Sequence, residues 1–93
     1  MDCLEDAGRR TASEYRRSTL YSTLSPCDMC SGAVLLYGIP RIVIGEIRTF
    51  RGPEAHLRSR GVELVILDEE TCVAMMRDFI AAHPDLWSED IGV

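Results

Sequence analysis

The chain has 93 residues, enough for one domain with a thin core and no more. Of these, 46% are apolar, which excludes a disordered tail. The formal net charge of −5 argues against a dedicated nucleic-acid binder, which needs a basic surplus or stripe.

Met1 to Arg9 reads as the body of a helix anchored by Leu4, with Gly8 suited to its C-terminal cap and no N-cap before it. Arg10 to Arg17 is polar and reads as a loop. Thr19 to Leu24, T-L-Y-S-T-L, has the β-branched and aromatic content of a strand. Pro26 to Tyr37 reads as a helix stopped by Gly38 and Pro40. Arg41 to Gly45 carries the apolar run I-V-I of a strand buried on both faces. Glu46 to Gly61 is a long polar connection with a helical turn around Glu54 to Ser59. Val62 to Leu67 reads as another buried strand. Asp68 is then expected to cap a helix through His83, with Cys72, Met76, Phe79, Ile80 and His83 on one face. The tail after Pro84 has room for one short turn. The order α-β-α-β-α-β-α implies parallel strands with right-handed crossovers. No internal repeat, low-complexity segment or linker divides the chain.

Several chemistries fall away. All ten basic residues are arginine. Schiff-base chemistry and P-loop phosphate binding need a lysine, so neither is available within these residues. There is no G-x-S-x-G and no G-x-G-x-x-G, so neither a nucleophile-elbow hydrolase nor a dinucleotide fold has support. No apolar stretch is long enough for a transmembrane helix. The acidic start M-D-C-L-E-D-A-G does not read as a secretory signal. Four cysteines, two of them close together, suggest a metal or redox protein of the cytosol rather than a disulfide scaffold.

The informative stretch is T-L-S-P-C-D-M-C-S-G-A, residues 23–33. Ser25 is expected as N-cap, Pro26 at the first helical position and Asp28 as the capping-box acid. Cys27 and Cys30 then share one face of the first turn, at the positive end of the helix dipole, where thiolates are favoured. Two thiolates make half of a zinc site. By itself C-x-x-C also fits a thioredoxin-type redox pair or plain packing.

This stretch, followed by Y-G-I-P-R-I-V-I-G-E and the closing W-S-E-D-I-G, resembles the zinc-dependent pyrimidine deaminases, and among them the fungal-type cytosine deaminases. The resemblance runs nearly the whole length of the chain. The related tRNA adenosine deaminases usually carry a glutamate where this chain has Ser25. The resemblance implies a cytidine-deaminase-like three-layer α/β/α sandwich with a mixed sheet, to which this chain supplies the three C-terminal parallel strands and their helices. It implies Zn2+ held by one histidine and two cysteines, a water that attacks C4 of cytosine, and a glutamate that shuttles protons while ammonia leaves. Carried over, Cys27 and Cys30 are the metal ligands. Backbone around Ser25 holds the pyrimidine, Phe50 and Trp87 are aromatic walls, and Asp90 contacts the leaving amino group. The long loop and the tail would act as a lid.

The family's H-x-E opens the helix that continues here as M-D-C-L-E-D-A-G-R. Aligned so, the glutamate falls immediately before Met1 and the histidine two positions earlier. The chain is therefore expected to be the C-terminal part of one deaminase domain, without the first helix, the first two strands and the catalytic glutamate, and inactive as written. His56 and His83 read as surface or half-packed histidines. Cys3 lies too far along the first helix, Cys72 reads as core, and Glu5 sits a turn beyond the shuttle position. Asp28, Glu69 and Glu70 read as helix-start acids. The expected partner is a small pyrimidine base, with no nucleic acid and no membrane. The complete protein is expected to be a cytoplasmic homodimer, with the nucleus as a second compartment. Alternatives are a deaminase of another base or nucleoside, a catalytically dead short protein that self-associates or binds a partner, and a redox C-x-x-C module.

Overall fold

The computed structural model describes residues 1–92. The elements are α1 (Asp2–Ala7), α2 (Ala12–Arg16), β1 (Thr19–Leu24), α3 (Asp28–Tyr37), β2 (Arg41–Glu46), α4 (Glu54–Ser59), β3 (Glu63–Ile66), α5 (Glu70–Ala82) and α6 (Pro84–Ile91). The three strands form one sheet in the order β1-β2-β3, and both pairings are parallel. This is the expected α/β architecture.

The sheet has two dissimilar faces because successive side chains point to opposite sides. Ile42 and Ile44 of β2 are fully buried and join Tyr15, Val34, Ile39, Leu57 and Val62 in the core, so α2, α3 and α4 cover that face. Each such aliphatic side chain contributes about 1.5–3 kcal/mol by leaving water. Val43 and Gly45 point the other way. A Cβ on Gly45 would come within 2.6 Å of Cys72 Sγ, so α5 covers that face closely at its N-terminal end. The cover is partial, because α5 has no fully buried residue and Tyr21 and Leu67 stay exposed on that side.

Several expectations are corrected. Residues 12–16 form a helix rather than a loop, because Thr11 accepts from the Glu14 N–H while the Glu14 carboxylate accepts from the Thr11 N–H, a complete capping box. The first helix is shorter than expected, Asp2–Ala7, and the tail forms eight residues of helix rather than one turn. β3 is half-buried rather than buried, because it is an edge strand. Asp68 does not cap α5. It sits in the left-handed region at φ 55, and its carboxylate is taken by Arg48 instead. On α5, Cys72, Met76 and Ile80 are half-buried, whereas Phe79 and His83 lie exposed with their rings 5.1 Å apart.

Candidate functional site

Parallel α/β sheets place their crevice at the C-terminal ends of the strands. Here that end carries the β1–α3 junction, Ser25-Pro26-Cys27, and the long turn after β2. Ser25 is not the N-cap. Cys27 is, with ψ 178, so Pro26 lies outside the helix and Asp28 is its first residue. The physical reason is competition for the Ser25 hydroxyl. Ser25 is buried, its Oγ donates to Glu54 Oε2 at 3.2 Å, and it accepts the Gly52 N–H at 3.1 Å. These two bonds aim the hydroxyl at Gly52 and Glu54 rather than at the first N–H groups of α3.

Moving the cap by two residues puts Cys27 at the cap and leaves Cys30 in the first turn of α3. Burial opposes ionisation of the Cys27 thiol. The N–H dipoles of Cys30 and Met29 and the Cys30 side chain outweigh it together, and the thiol titrates below its ordinary value. No N–H closes on that sulfur at cap geometry. Cys30 is pushed up, first by burial and then by the charge of Cys27, while the Met1 amine nearby opposes the rise. The two thiols therefore shift in opposite directions, and Cys27 is the one more disposed to ionise. The Met1 nitrogen lies 3.8 Å from Cys30 Sγ, so the N-terminal end of α1 meets the cysteine pair.

The turn after β2 is held at three places. Glu46, fully buried, accepts the Thr49 N–H on Oε2 at 2.9 Å, and its Oε1 has no partner among the described residues. Arg48 forks onto both oxygens of Asp68, at 2.8 and 3.0 Å, and reaches Glu70 at 2.6 Å. Gly52 is bonded to Ser25 as above. Between these anchors Phe50 projects toward α6 and meets Trp87 edge to face, ring centroids 6.4 Å apart.

An open cavity of about 530 Å³ lies between these elements. It is lined by Cys27, Asp28, Met29, Phe50, Arg51, Gly52, Pro53, Asp90 and Ile91. The geometry thus brings Cys27, Phe50 and Asp90 to one cavity, with Cys30 a turn along the helix, Trp87 against Phe50, and the Ser25 side chain behind the wall. A larger groove of about 750 Å³ runs between α1, α2 and α3 and contains neither cysteine of the pair. Size does not mark the site here; chemistry does.

Comparison with known proteins bears on what this arrangement is. The family model described as the cytidine and deoxycytidylate deaminase zinc-binding region matches residues 1–46. Over 92 residues, 99% of this chain, the sequence is 49% identical to a cytosine deaminase of Candida albicans. Residues 1–46 thus carry the zinc-binding region of the cytidine and deoxycytidylate deaminases. The chain also resembles a tRNA-specific adenosine deaminase of Haemophilus influenzae, 50% identical over 40 residues, 41% of this chain and 23% of that protein. The chain spans 61% of the length of the Candida deaminase.

The metal of the matched region is zinc, and the donors in this chain fit it. Two soft thiols stand at the start of one helix, with one already inclined to ionise. They are half a set. Among the described residues no group of three or more His, Cys, Asp or Glu is arranged to hold a metal ion. Cys3 and His56 are exposed, His83 rests on Phe79, and Cys72 lies against Gly45 on the other face of the sheet. Sequence reasoning passed over Glu46, Arg48, Gly52 and Glu54, which hold the Phe50 turn. Their roles depend on partners 20 or more positions away, or, for Glu46, on burial, and no local motif announces either.

Proposed function

We propose that this chain is the C-terminal part of a single-domain, zinc-dependent hydrolase that converts cytosine to uracil and releases ammonia. Cys27 and Cys30 are two of its three protein ligands. The histidine ligand and the glutamate that moves protons come from a His-x-Glu immediately upstream of Met1. The observation that supports this most is the convergence of Cys27, Phe50 and Asp90 on one cavity beside the cysteine turn.

Zinc, when bound, supplies a Lewis acid that makes water a nucleophile near neutral pH. The chain's own residues do the rest. Phe50, braced edge to face by Trp87, covers one face of the flat base and excludes water from it. Backbone polar groups around Ser25 hold the ring's amide edge. The Asp90 carboxylate accepts from the exocyclic amino group and orients it for departure as ammonia. Cytosine and water are consumed; uracil and ammonia are formed. The complete protein acts as a cytoplasmic homodimer on a free pyrimidine base.

The test is to assay cytosine deamination by the 93-residue chain beside a version extended through its natural upstream codons. The extended protein is expected to release ammonia and the chain alone to release none. Turnover by the chain alone at an ordinary enzymatic rate, or none by the extended form, overturns the reading.

A second reading has one specific observation in its favour. β1 is a sheet edge among the described residues, and Tyr21 on it is 72% exposed. An open edge invites pairing. If the cell makes only these residues, the chain self-associates or captures a partner strand. A clean monomer in sedimentation at micromolar concentration would remove this reading.

A further inference from the structure

Ser25 and Glu54 stand 29 positions apart and meet in the interior. Glu54 is 6% exposed, and a carboxylate so placed is costly unless hydrogen-bonded. The Ser25 hydroxyl gives it its one proton at 3.2 Å. The same oxygen takes the Gly52 N–H at 3.1 Å, so the hydroxyl links two segments and has a fixed orientation. Gly52 is pressed so closely on the junction that a Cβ there would lie 1.9 Å from the Pro26 carbonyl oxygen. That oxygen also accepts from Ser31 Oγ at 3.4 Å, on the helix that carries Cys30. Arg51 approaches Glu54 at 3.7 Å, but it is mostly exposed and adds little. Phe50 is two residues before Gly52, and Cys27 is two residues after Ser25. One hydroxyl and one carboxylate therefore join the turn bearing the aromatic wall to the turn bearing the metal thiol.

We propose that Glu54 is a positioning residue for the cysteine pair. Its carboxylate orients the Ser25 hydroxyl, which seats Gly52 on Pro26 and fixes Cys27 Sγ relative to Cys30 and Phe50. Glu54 touches neither metal nor base. This rests on the reading of Cys27 and Cys30 as zinc ligands and adds what holds them in register. Outer-shell partners of this kind change metal affinity by about 10–100-fold.

The test uses Co2+ alone as probe on the chain extended through its natural upstream codons, read by its thiolate-to-cobalt absorption, together with exchange of the Gly52 amide proton. This unaltered chain should show the absorption band. Glu54→Ala and Ser25→Ala should weaken Co2+ binding by about 10-fold or more and speed Gly52 exchange beyond any change in global stability. Glu54→Gln keeps a carbonyl acceptor for the Ser25 hydroxyl and should restore both. Native-like binding in Glu54→Ala overturns the proposal, as does equal loss in Glu54→Ala and Glu54→Gln. Absence of the band in the unaltered chain is a different failure: it removes the ligand reading of the cysteines and the proposal with it. Circular dichroism on each variant separates misfolding from lost positioning, and Ser25→Ala, which removes no charge, stands in if Glu54→Ala does not fold.

Discussion

The backbone nitrogen of Met1 lies 3.8 Å from Cys30 Sγ, although 29 positions separate them in sequence. The first helix therefore points its N-terminal end, with its unpaired N–H groups, at the cysteine turn. Under the proposed reading, the third ligand stands just upstream of Met1, beside the two sulfurs. That is the relation behind the first prediction: the transcript upstream of the Met1 codon should encode an in-frame His-x-Glu ending at the preceding codon. Sequencing to the true 5′ end decides it. A stop or an unrelated sequence there would leave the cysteines as half a site and shift interest to the β1 edge.

Cys27→Ser and Cys30→Ser should each abolish the thiolate-to-metal absorption of the Co2+ form. Loss of an outer-shell partner costs about 10–100-fold in affinity, and loss of a thiolate ligand costs more. Cys72→Ser and Cys3→Ser should leave the spectrum unchanged, since Cys72 packs against the far face of the sheet and Cys3 is exposed. A spectrum altered by Cys72→Ser would contradict the assignment.

The Arg48 fork predicts a pH dependence with a definite sign. The hydrogen bonds from Arg48 hold the Asp68 carboxyl below its ordinary value in the folded protein. A depressed folded pKa contributes stability above the unfolded value of about 3.9, and that contribution is lost as pH falls through the folded value. Asp68→Asn keeps a side chain that tolerates the left-handed backbone at φ 55 while removing the charge. Urea midpoints of the two proteins should differ at neutral pH and converge as pH drops below about 4. A gap of constant size down to strong acid would show that the pair carries no linkage.

Gly45→Ala should destabilise the fold. The added Cβ would sit 2.6 Å from Cys72 Sγ and 2.7 Å from the Thr23 carbonyl oxygen. Overpacking of this kind costs about 1–3 kcal/mol. Adding Cys72→Ala should recover only part of the loss, because the Thr23 oxygen is backbone and cannot turn aside. Full recovery in the double variant, measured by urea unfolding, would mean that the strand yields more easily than the spacing implies.

What the sequence determined by itself was whatever is written within four or five neighbouring positions. The bounds of β1, the I-V-I burial of β2, the stop of α3 at Gly38 and the short helix from Glu54 to Ser59 all follow from such local patterns. So does the placing of both cysteines at the start of α3, although Cys27 is its cap rather than part of its first turn. One local signal was missed, the T-x-x-E box at Thr11 and Glu14, hidden among arginines that suggested a loop. The tertiary structure decided the rest. Ser25 and Asp68 each have a capping partner close at hand, worth about 1 kcal/mol. Each bonds instead to a group 20 or more positions away, Glu54 and Arg48, because the folded chain delivers that partner as a charged one. Phe50 meets Trp87, and Cys27 shares a cavity with Asp90, for the same reason. Local propensity offers short polar side chains several bonds of nearly equal worth, and only the packed sheet determines which partner is present and which is buried.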